Sequence, residues 1–330
     1  MARIDGTKLT DLIVGAMGSD NEIWAHGGDD LVAGGKLEDM IRGGKGADTI
    51  VGGAGDDTIF GDTGDDNIRG TVGGDNLYGG QGDDWVSGGK NDDILAGGVG
   101  NDTLDGNSGD DIIMGGSGDD VMRGSLGNDW MFGGRGNDQV YGGTGDDTVL
   151  ASSGNDVYSG GEGSDTLDYS AIVGRVDINL GKHVAKVGNG KAIATESVSG
   201  FETVIGNNGA DKFVGDRTDT HFIGGGGADW FRGMLGDDTL TGGAGADTFA
   251  YLKKDTAGGS TDTITDFQVG VDKLDLKDFL KGHASYGQSV RFADDGAGGT
   301  NVQGLVAHKW VDVVNLQGVD AHHAGFDLLA

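Results

Sequence analysis

Aspartates recur at every ninth residue over much of this chain, and carboxylates at so regular a spacing can bind metal ions. From Ala25 to Asp168 the sequence divides into sixteen nine-residue units without an insertion, and the sixth residue of each unit is aspartate. A typical unit is Gly52-Gly53-Ala54-Gly55-Asp56-Asp57-Thr58-Ile59-Phe60. The candidate ligands of this first block are Asp30, Asp39, Asp48, Asp57, Asp66, Asp75, Asp84, Asp93, Asp102, Asp111, Asp120, Asp129, Asp138, Asp147, Asp156 and Asp165.

A second block of five such units runs from Gly206 to Ala250. Thr220 holds the sixth place in one unit and has no carboxylate, so we expect a weak site or none there. Residues 6–24 resemble two degenerate units, with Asp11 and Asp20 in the sixth place and one extra residue near Asn21. The candidate ligands of the second block are Asp211, Asp229, Asp238 and Asp247.

The other residues of the unit suit calcium. Ca²⁺ is a hard cation that takes roughly six to eight oxygen ligands. Glycines at positions one, two and four permit positive φ and leave the loop carbonyls accessible. Aspartate also favours turns for conformational reasons, so a purely structural role remains the alternative. Asp39 and Asp93 are the weaker candidates, because Leu37 and Asn91 replace the fourth glycine of their units.

Composition points to cations as partners. The chain has 54 acidic and 23 basic residues, a formal net charge of −31, and this charge disfavours nucleic acid. It contains 71 glycines and no cysteine, which excludes disulfides and thiolate metal sites. No apolar run is long enough for a membrane span. Such a composition is typical of disordered chains unless bound cations neutralise the carboxylates.

Each unit is expected to form a turn over its first six residues and a short strand over its last three. Side chains alternate in direction along a strand, so the apolar eighth residue should point inward. This gives a thin core, which burial alone is unlikely to order against the conformational entropy of so much glycine. We therefore expect metal binding to contribute to the free energy of folding, and the chain to be disordered without it.

The repeated pattern resembles that of RTX (repeats-in-toxin) proteins, the hemolysin-type calcium-binding family. The resemblance implies an all-β fold, a right-handed parallel β-roll (RTX nonapeptide solenoid) with a β-rich C-terminal cap. Two successive units would make one coil, and multiple Ca²⁺ ions would lie between stacked loops. Asp48 and Asp66 would then flank one site, and Asp57 and Asp75 another on the opposite edge.

The segments outside the repeats also resemble parts of this family. Val176–Leu180 and Val184–Val187 predict a hairpin within an insert of the kind found between RTX blocks, which should stack on the roll. Asp262–Phe267 and the residues after it resemble the C-terminal module of serralysin-like type I secretion substrates. A hairpin is expected over 290–302, and Phe326–Ala330 resembles the acidic-then-apolar end of those substrates.

The predicted organisation therefore has five parts. They are an N-terminal cap of degenerate repeats (1–24), a first β-roll block (25–168), a strand-rich insert (169–205), a second β-roll block (206–250) and a C-terminal secretion and capping module (251–330).

We expect a secreted, extracellular protein that uses the type I (ABC) secretion machinery, because Met1–Gly6 shows no apolar signal-peptide region. Family enzymes carry a catalytic domain upstream of their repeats, and here the repeats begin within ten residues of Met1. H-E-x-x-H and G-x-S-x-G motifs are absent. The favoured interpretation is a non-enzymatic structural, adhesive or matrix protein, with cell-surface or exopolysaccharide ligands as partners. The alternatives are the carrier portion or partner of an extracellular protease, lipase or epimerase, and a pore-forming toxin.

Overall fold

The computed structural model describes residues 2–188, 193–256, 259–280, 290–306 and 309–320. The chain divides into two compact units, Met1–Leu167 and Asp168–Ala330. Strands make up nearly all of the regular structure in both units, and the strands of the repeats pair in parallel. The prediction of an all-β parallel solenoid is therefore confirmed.

The first unit is a coil with a repeat of two nine-residue units. Ile50 lies opposite Ile68 in one sheet, and Ile59 lies opposite Leu77 in the other. Hydrogen bonds from a backbone N–H to a side-chain carboxylate in the neighbouring coil accordingly join residues 18 apart. Successive nine-residue units thus alternate between two parallel sheets, and the turns between them line the two edges of the coil.

The strands of the two sheets follow one another in alternation along the chain. The first sheet contains Ala2–Asp5, Asn21–Gly27, Met40–Lys45, Thr58–Thr63, Asn76–Gln81, Ile94–Val99, Ile112–Ser117, Trp130–Arg135, Thr148–Leu150 and Thr166–Asp168. The second sheet contains Leu12–Val14, Leu31–Gly35, Thr49–Ala54, Asn67–Val72, Trp85–Lys90, Thr103–Ser108, Val121–Leu126, Gln139–Thr144 and Val157–Glu162.

The first coil contains the extra residue that the sequence indicates, but the residue at the sixth place is not the predicted one. Ile4 lies opposite Ile23, 19 residues on, whereas Ile23 lies opposite Ile41. The backbone N–H of Asn21, not that of Asp20, donates to Asp39 Oδ1 at 2.6 Å. The prediction of Asp20 was wrong because the extra residue lies before it, in the turn, and moves the register by one.

The core of the first unit is a single file of side chains from the eighth positions. Each of these residues, from Val32 to Leu167, has no exposed surface. Within a strand the burial alternates, so that Ile112 is 39% exposed while its neighbour Ile113 is fully buried. The predicted inward direction of the eighth residue is confirmed.

The second unit has the same kind of coil geometry over the second block. One parallel row contains Thr203–Ile205, His221–Ile223, Thr239–Thr241 and Asp262–Ile264. The other contains Lys212–Val214, Trp230–Arg232, Thr248–Ala250 and Lys273–Asp275, and Gly226–Gly227 pairs with Ala244–Gly245. Stacked phenylalanines fill this part of the core, with Phe213 and Phe231 separated by 5.0 Å and Phe231 and Phe249 by 5.1 Å between ring centroids.

Two antiparallel meanders flank these coils in the second unit. The insert forms Arg175–Asn179, Val184–Gly188 and Ile193–Ser199, as its predicted hairpin plus a third strand, and its first strand pairs in parallel with Lys212–Val214. The C-terminal meander forms Val290–Asp294, Thr300–Val306 and Lys309–Leu316, which confirms the predicted hairpin and adds a strand.

Helix is limited to short segments of the second unit. Among the residues that the structure describes, these are the 3₁₀ turns Leu180–Lys182 and Lys253–Thr256 and the single α-helical turn Lys277–Leu280. In the described ranges no helix has the length and apolarity needed to cross a membrane.

The adjacent pair Ile112 and Ile113 tests the single-file core. Truncating a fully buried isoleucine to alanine typically costs about 2–5 kcal/mol, whereas an exposed site costs within about 0.5 kcal/mol. We predict that Ile113→Ala lowers the free energy of unfolding in calcium by an amount in the first range, and Ile112→Ala by far less. Urea denaturation followed by circular dichroism measures both. Equal losses for the two variants would contradict the alternation of inward and outward side chains.

Candidate metal sites

The sixth-position aspartates are buried at the turns on both edges of the coil. All sixteen in the first unit have at most 3% of their surface exposed, and Asp211, Asp229, Asp238 and Asp247 have 1%. Aspartate is almost never buried to this extent without a partner. The turns therefore hold two regular rows of carboxylates away from water.

One oxygen of each carboxylate is held by the neighbouring coil. The backbone N–H of Asp48 donates to Asp66 Oδ1, and the N–H of Asp66 donates to Asp84 Oδ1, both at 2.8 Å. The same contact runs from Asp30 to Asp165 with distances of 2.7–3.0 Å. We call these two rows of contacts the carboxylate ladders. They join each coil to the next at both edges.

The other oxygen, Oδ2, is buried without a hydrogen-bond donor in most units. A buried carboxylate oxygen without a donor costs free energy, because it has lost its hydration and gained nothing in return. A cation would supply the missing interaction. The residues with such an Oδ2 atom are Asp30, Asp39, Asp48, Asp57, Asp66, Asp75, Asp84, Asp93, Asp102, Asp111, Asp120, Asp129, Asp138, Asp147, Asp229, Asp238 and Asp247.

Most units begin with a glycine that leaves room for this oxygen, the exceptions in the first block being Ala25 and Ala151. A Cβ atom built on Gly34 would lie 2.6 Å from Asp39 Oδ2 and 2.6 Å from the carbonyl oxygen of Gly52 in the next coil. At Gly61 the added Cβ would collide with Asp66 Oδ2 in the same way. At these positions a carboxylate oxygen and a carbonyl oxygen from adjacent coils thus converge on the space that the glycine leaves open.

These donors fit Ca²⁺ better than any softer metal. Carboxylate and carbonyl oxygens suit calcium and magnesium, whereas transition metals favour imidazole or thiolate. Across the described ranges, no three histidine, aspartate or glutamate side chains are grouped closely enough to hold an ion by themselves. The loop carbonyls beside these carboxylates, such as that of Gly52, are the further oxygen ligands that the sequence pattern predicts.

Asp156 departs from this arrangement. Its Oδ2 accepts hydrogen bonds from the hydroxyls of Tyr158 at 2.7 Å and Ser152 at 3.3 Å. Ala151 replaces the first glycine of this unit, so the carboxylate meets a different environment there. Asp156 lies at the predicted place in the ladder, but both of its oxygens are already hydrogen-bonded.

Asp211 is satisfied in a similar way. Its Oδ1 accepts from the backbone N–H of Val176 at 2.8 Å and its Oδ2 from that of Asn207 at 3.0 Å. Thr220 holds the next place in the block, where its N–H donates to Asp238 Oδ1 at 2.9 Å, so the backbone geometry continues without a carboxylate. The ladder is therefore chemically uneven in the second unit.

The two substituted units keep the common geometry. Asp39 and Asp93 are 3% and 1% exposed, and each takes its place in a ladder. Asn91 adopts the positive φ of 76° that the fourth position otherwise assigns to glycine. The structure places both aspartates with the others, despite the replaced glycines.

Two further aspartates continue the ladders beyond the nine-residue frame. Asp238 N–H donates to Asp262 Oδ1 at 3.2 Å and Asp247 N–H donates to Asp272 Oδ1 at 3.0 Å, over 24 and 25 residues. Longer turns move these residues out of frame, so a search at fixed spacing misses Asp262, whereas the sequence suggests Asp266, Asp272 and Asp275 either as ligands of a further ion or as strand and turn residues. A local sequence pattern could have identified Asp262, because Asp262-Thr263-Ile264 repeats the Asp-x-apolar pattern of positions six to eight in an ordinary unit.

The fifth positions form a second set of contacts that the sequence analysis missed. Asp83 Oδ1 accepts from the backbone N–H of Asn101 at 2.7 Å, and Asn101 Oδ1 accepts from that of Asp119 at 2.8 Å. These side chains are exposed and accept from the following coil, whereas the sixth-position carboxylates accept from the preceding one. The sequence pattern that could have predicted these contacts is the frequent occurrence of aspartate or asparagine at the fifth position.

Burial raises the pKa of the ladder carboxyls far above the ordinary value. It raises the pKa of Asp57, Asp66 and Asp84 to about 7, because desolvation penalises the charged form and neighbouring carboxylates add to the effect. The pKa of Asp93 is raised to about 8 for the same reasons. Burial, followed by the charge of Asp238, raises the pKa of Asp262 to about 9.

Comparison with known proteins agrees with this geometry. The family model for the Peptidase M10 serralysin C terminal matches residues 133–325. The model for the RTX calcium-binding nonapeptide repeat matches four copies, at residues 10–41, 35–68, 69–104 and 105–140. The chain belongs to the serralysin C-terminal family and carries RTX calcium-binding repeats. It is a secreted calcium-binding RTX protein.

Two solved structures match part of this chain. The extracellular lipase LipA from Serratia marcescens is 19% identical, and the match covers 72% of this RTX protein and 44% of the lipase, with a TM-score of 0.23. A hyperactive, Ca²⁺-dependent, β-helical antifreeze protein from an Antarctic bacterium is 19% identical. The match covers 75% of this RTX protein and 86% of the antifreeze protein, with a TM-score of 0.27. This RTX protein thus spans less than half of the lipase that it matches. No curated protein matches the sequence.

The neighbours Asp65 and Asp66 separate a ladder carboxylate from an exposed one. Asp66→Asn keeps an acceptor for the N–H of Asp48 but removes the charge at the buried Oδ2, so we predict that it raises the calcium concentration needed for half-folding by about tenfold. Asp65→Asn should change it less than about twofold. Calcium titration followed by circular dichroism measures both midpoints. Matching shifts in the two variants would show that the buried oxygen has no special role.

The raised pKa values also predict how acid acts on the calcium-free chain. A carboxyl whose pKa is near 7 in the folded state and near 4 in the unfolded state stabilises the fold fully below about pH 4, and this stabilisation is lost as the pH rises from about 4 to about 7. In chelator, we therefore predict more β-structure at pH 5 than at pH 8 by circular dichroism. Loss of structure on acidification in chelator would contradict the burial of these groups.

Proposed function

We propose that this RTX protein is an extracellular protein whose folding is driven by Ca²⁺ bound along the carboxylate ladders. The observation that supports this most strongly is the repeated Oδ2 atom, buried without a donor in seventeen turns. A cation at each such place would neutralise the carboxylate and offset its desolvation. Without cations, two rows of like charges would lie buried at one-coil spacing, which opposes folding.

The proposed ligands are the sixth-position aspartates together with loop carbonyls. Sites are expected to be strongest where Oδ2 has no protein partner, as at Asp66 and Asp84. Asp165 is included because it occupies the same place and accepts from Asp147 N–H at 2.8 Å. Asp156 and Asp211 should bind more weakly, because an ion there must replace an existing hydrogen bond of Oδ2.

A calcium requirement of this kind suits export. Extracellular calcium modules have dissociation constants of about 10⁻⁴–10⁻³ M, far above cytosolic calcium. The chain would stay unfolded inside the cell, pass through a type I (ABC) exporter, and fold outside. The serralysin C-terminal match supports this route. The predicted terminal signal Phe326–Ala330 lies outside the described residues.

For the extracellular role we favour a structural, adhesive or matrix protein without catalytic activity. What supports this is the long repetitive surface, since each coil presents two strands and two turns in the same arrangement. Cell-surface or exopolysaccharide ligands remain the predicted partners. The second candidate is the calcium-binding and carrier portion of an extracellular enzyme, which the match to the C-terminal part of a peptidase family supports.

Calcium titration of the purified chain tests the proposal. We predict little regular structure in chelator at neutral pH, and a cooperative rise of the β signal with a fall in the radius of gyration as Ca²⁺ is added. Mg²⁺ at equal ionic strength is the control, because it demands tighter octahedral geometry and should compact the chain far less. Circular dichroism and small-angle X-ray scattering measure the two effects. Equal structure in calcium and chelator would refute a calcium-driven fold.

A further inference from the structure

One turn of the first unit is closed by hydroxyl groups of the protein itself. Asp156 is 1% exposed, like the other sixth-position aspartates, and its Oδ1 accepts from the backbone N–H of Asp138 at 2.9 Å. Its Oδ2 accepts from the hydroxyl of Tyr158 at 2.7 Å and from that of Ser152 at 3.3 Å. Both oxygens of this carboxylate are therefore hydrogen-bonded, whereas Asp147 Oδ2 has no donor among the described residues.

The eighth residue of this unit differs from those of the rest of the first block. In the other units of that block it is aliphatic or methionine, and only Tyr158 carries a hydroxyl. Tyr158 has no exposed surface, so its hydroxyl needs partners inside the protein. It donates to Asp156 Oδ2 and accepts from the backbone N–H of Ser152 at 2.9 Å. The hydroxyl is thus held between the start of the turn and the carboxylate of the same turn.

Another unit that lacks the first glycine shows that this loss alone does not close the turn. Ala25 and Ala151 both hold the first position, and both are buried. In the unit of Ala25 the eighth residue is Val32, and Asp30 Oδ2 has no donor within the part of the chain that the structure describes. The hydroxyl groups, and not the alanine methyl, therefore account for the satisfied carboxylate of Asp156.

Three donors around one buried carboxylate change what this turn needs for folding. Hydrogen bonds to an ionised group are stronger than those between neutral groups, and together they offset part of the cost of burying its charge. At the ordinary turns the proposed function assigns that role to Ca²⁺. An ion at Asp156 Oδ2 would have to compete with the hydroxyl of Tyr158, so calcium binding gains little at this turn.

We propose that the hydroxyl of Tyr158, assisted by Ser152, takes over the role of a calcium ion at the Asp156 turn. This role presupposes that the neighbouring turns bind Ca²⁺, as in the proposed function. The turn lies close to the end of the first unit, at Leu167. It gives a calcium-dependent coil one joint that is closed by the protein's own side chains.

Removing the hydroxyl should make this turn depend on calcium. Tyr158→Phe keeps the ring and takes away the closest donor to Asp156 Oδ2, so the variant should bind about one more Ca²⁺ ion per molecule at saturation than the wild type. Its calcium concentration for half-folding should rise by about threefold or more, because a further turn then needs an ion. Equilibrium dialysis with radioactive calcium counts the ions, and circular dichroism gives the midpoint.

Two further variants serve as controls. Tyr141→Phe removes a hydroxyl that donates to Gln139 Oε1 at 3.1 Å, away from any ladder carboxylate, and should change neither quantity. Ala151→Gly with Tyr158→Leu rebuilds an ordinary unit, with its first glycine and an aliphatic eighth residue, and should gain the same ion as Tyr158→Phe. Circular dichroism in saturating calcium shows whether each variant is folded.

Folded Tyr158 variants that bind no further ion would overturn the proposed role of the hydroxyl. Failure of both to fold in saturating calcium would overturn it too, since an ion could not then replace the hydroxyl, and so would an equal gain in Tyr141→Phe. The wild-type count separates this outcome from failure of the proposed function. A folded wild-type chain that binds no calcium would refute the proposed function, whereas calcium binding by the wild type without a gain in the variants refutes only the role of Tyr158.

Discussion

The structure depends on one constraint: at most turns of the coil a carboxylate is buried beside a backbone that can satisfy only one of its oxygens. The N–H of the preceding coil donates to Oδ1, as Asp48 does for Asp66, and within the described residues no donor reaches Asp66 Oδ2. The second oxygen of the carboxylate is therefore left without a hydrogen-bond donor. Under the proposed function, this makes folding depend on an outside cation, whose charge replaces the donor that the chain lacks.

Other features of the repeat follow from that constraint. The first glycine of most units leaves the space that Oδ2 fills, as at Gly34, where an added Cβ would lie 2.6 Å from Asp39 Oδ2. The core is a single file of eighth-position side chains, and under the proposed function ion binding would contribute to the free energy of folding in addition to burial. Where the constraint is relaxed, the chain compensates locally, as Tyr158 and Ser152 do at Asp156.

The regular part of the fold could be predicted from the sequence, because each nine-residue unit repeats the same local chemistry. The inward eighth residue and the 18-residue coil follow from that spacing, as Ile50 opposite Ile68 shows. What failed was local register: one extra turn residue put Asn21 where Asp20 was expected. Asp262 was missed because a turn of different length separates it from the frame, and spacing alone carries no information about three-dimensional register.

Native mass spectrometry tests the central claim most directly, because it counts the calcium ions bound to each molecule and reports compactness from the charge-state distribution of that same molecule. The account predicts that compact molecules carry several Ca²⁺ ions, that ion-free molecules at neutral pH are extended, and that intermediate loads are rare because neighbouring coils stabilise one another. A compact population without bound ions at neutral pH would contradict it.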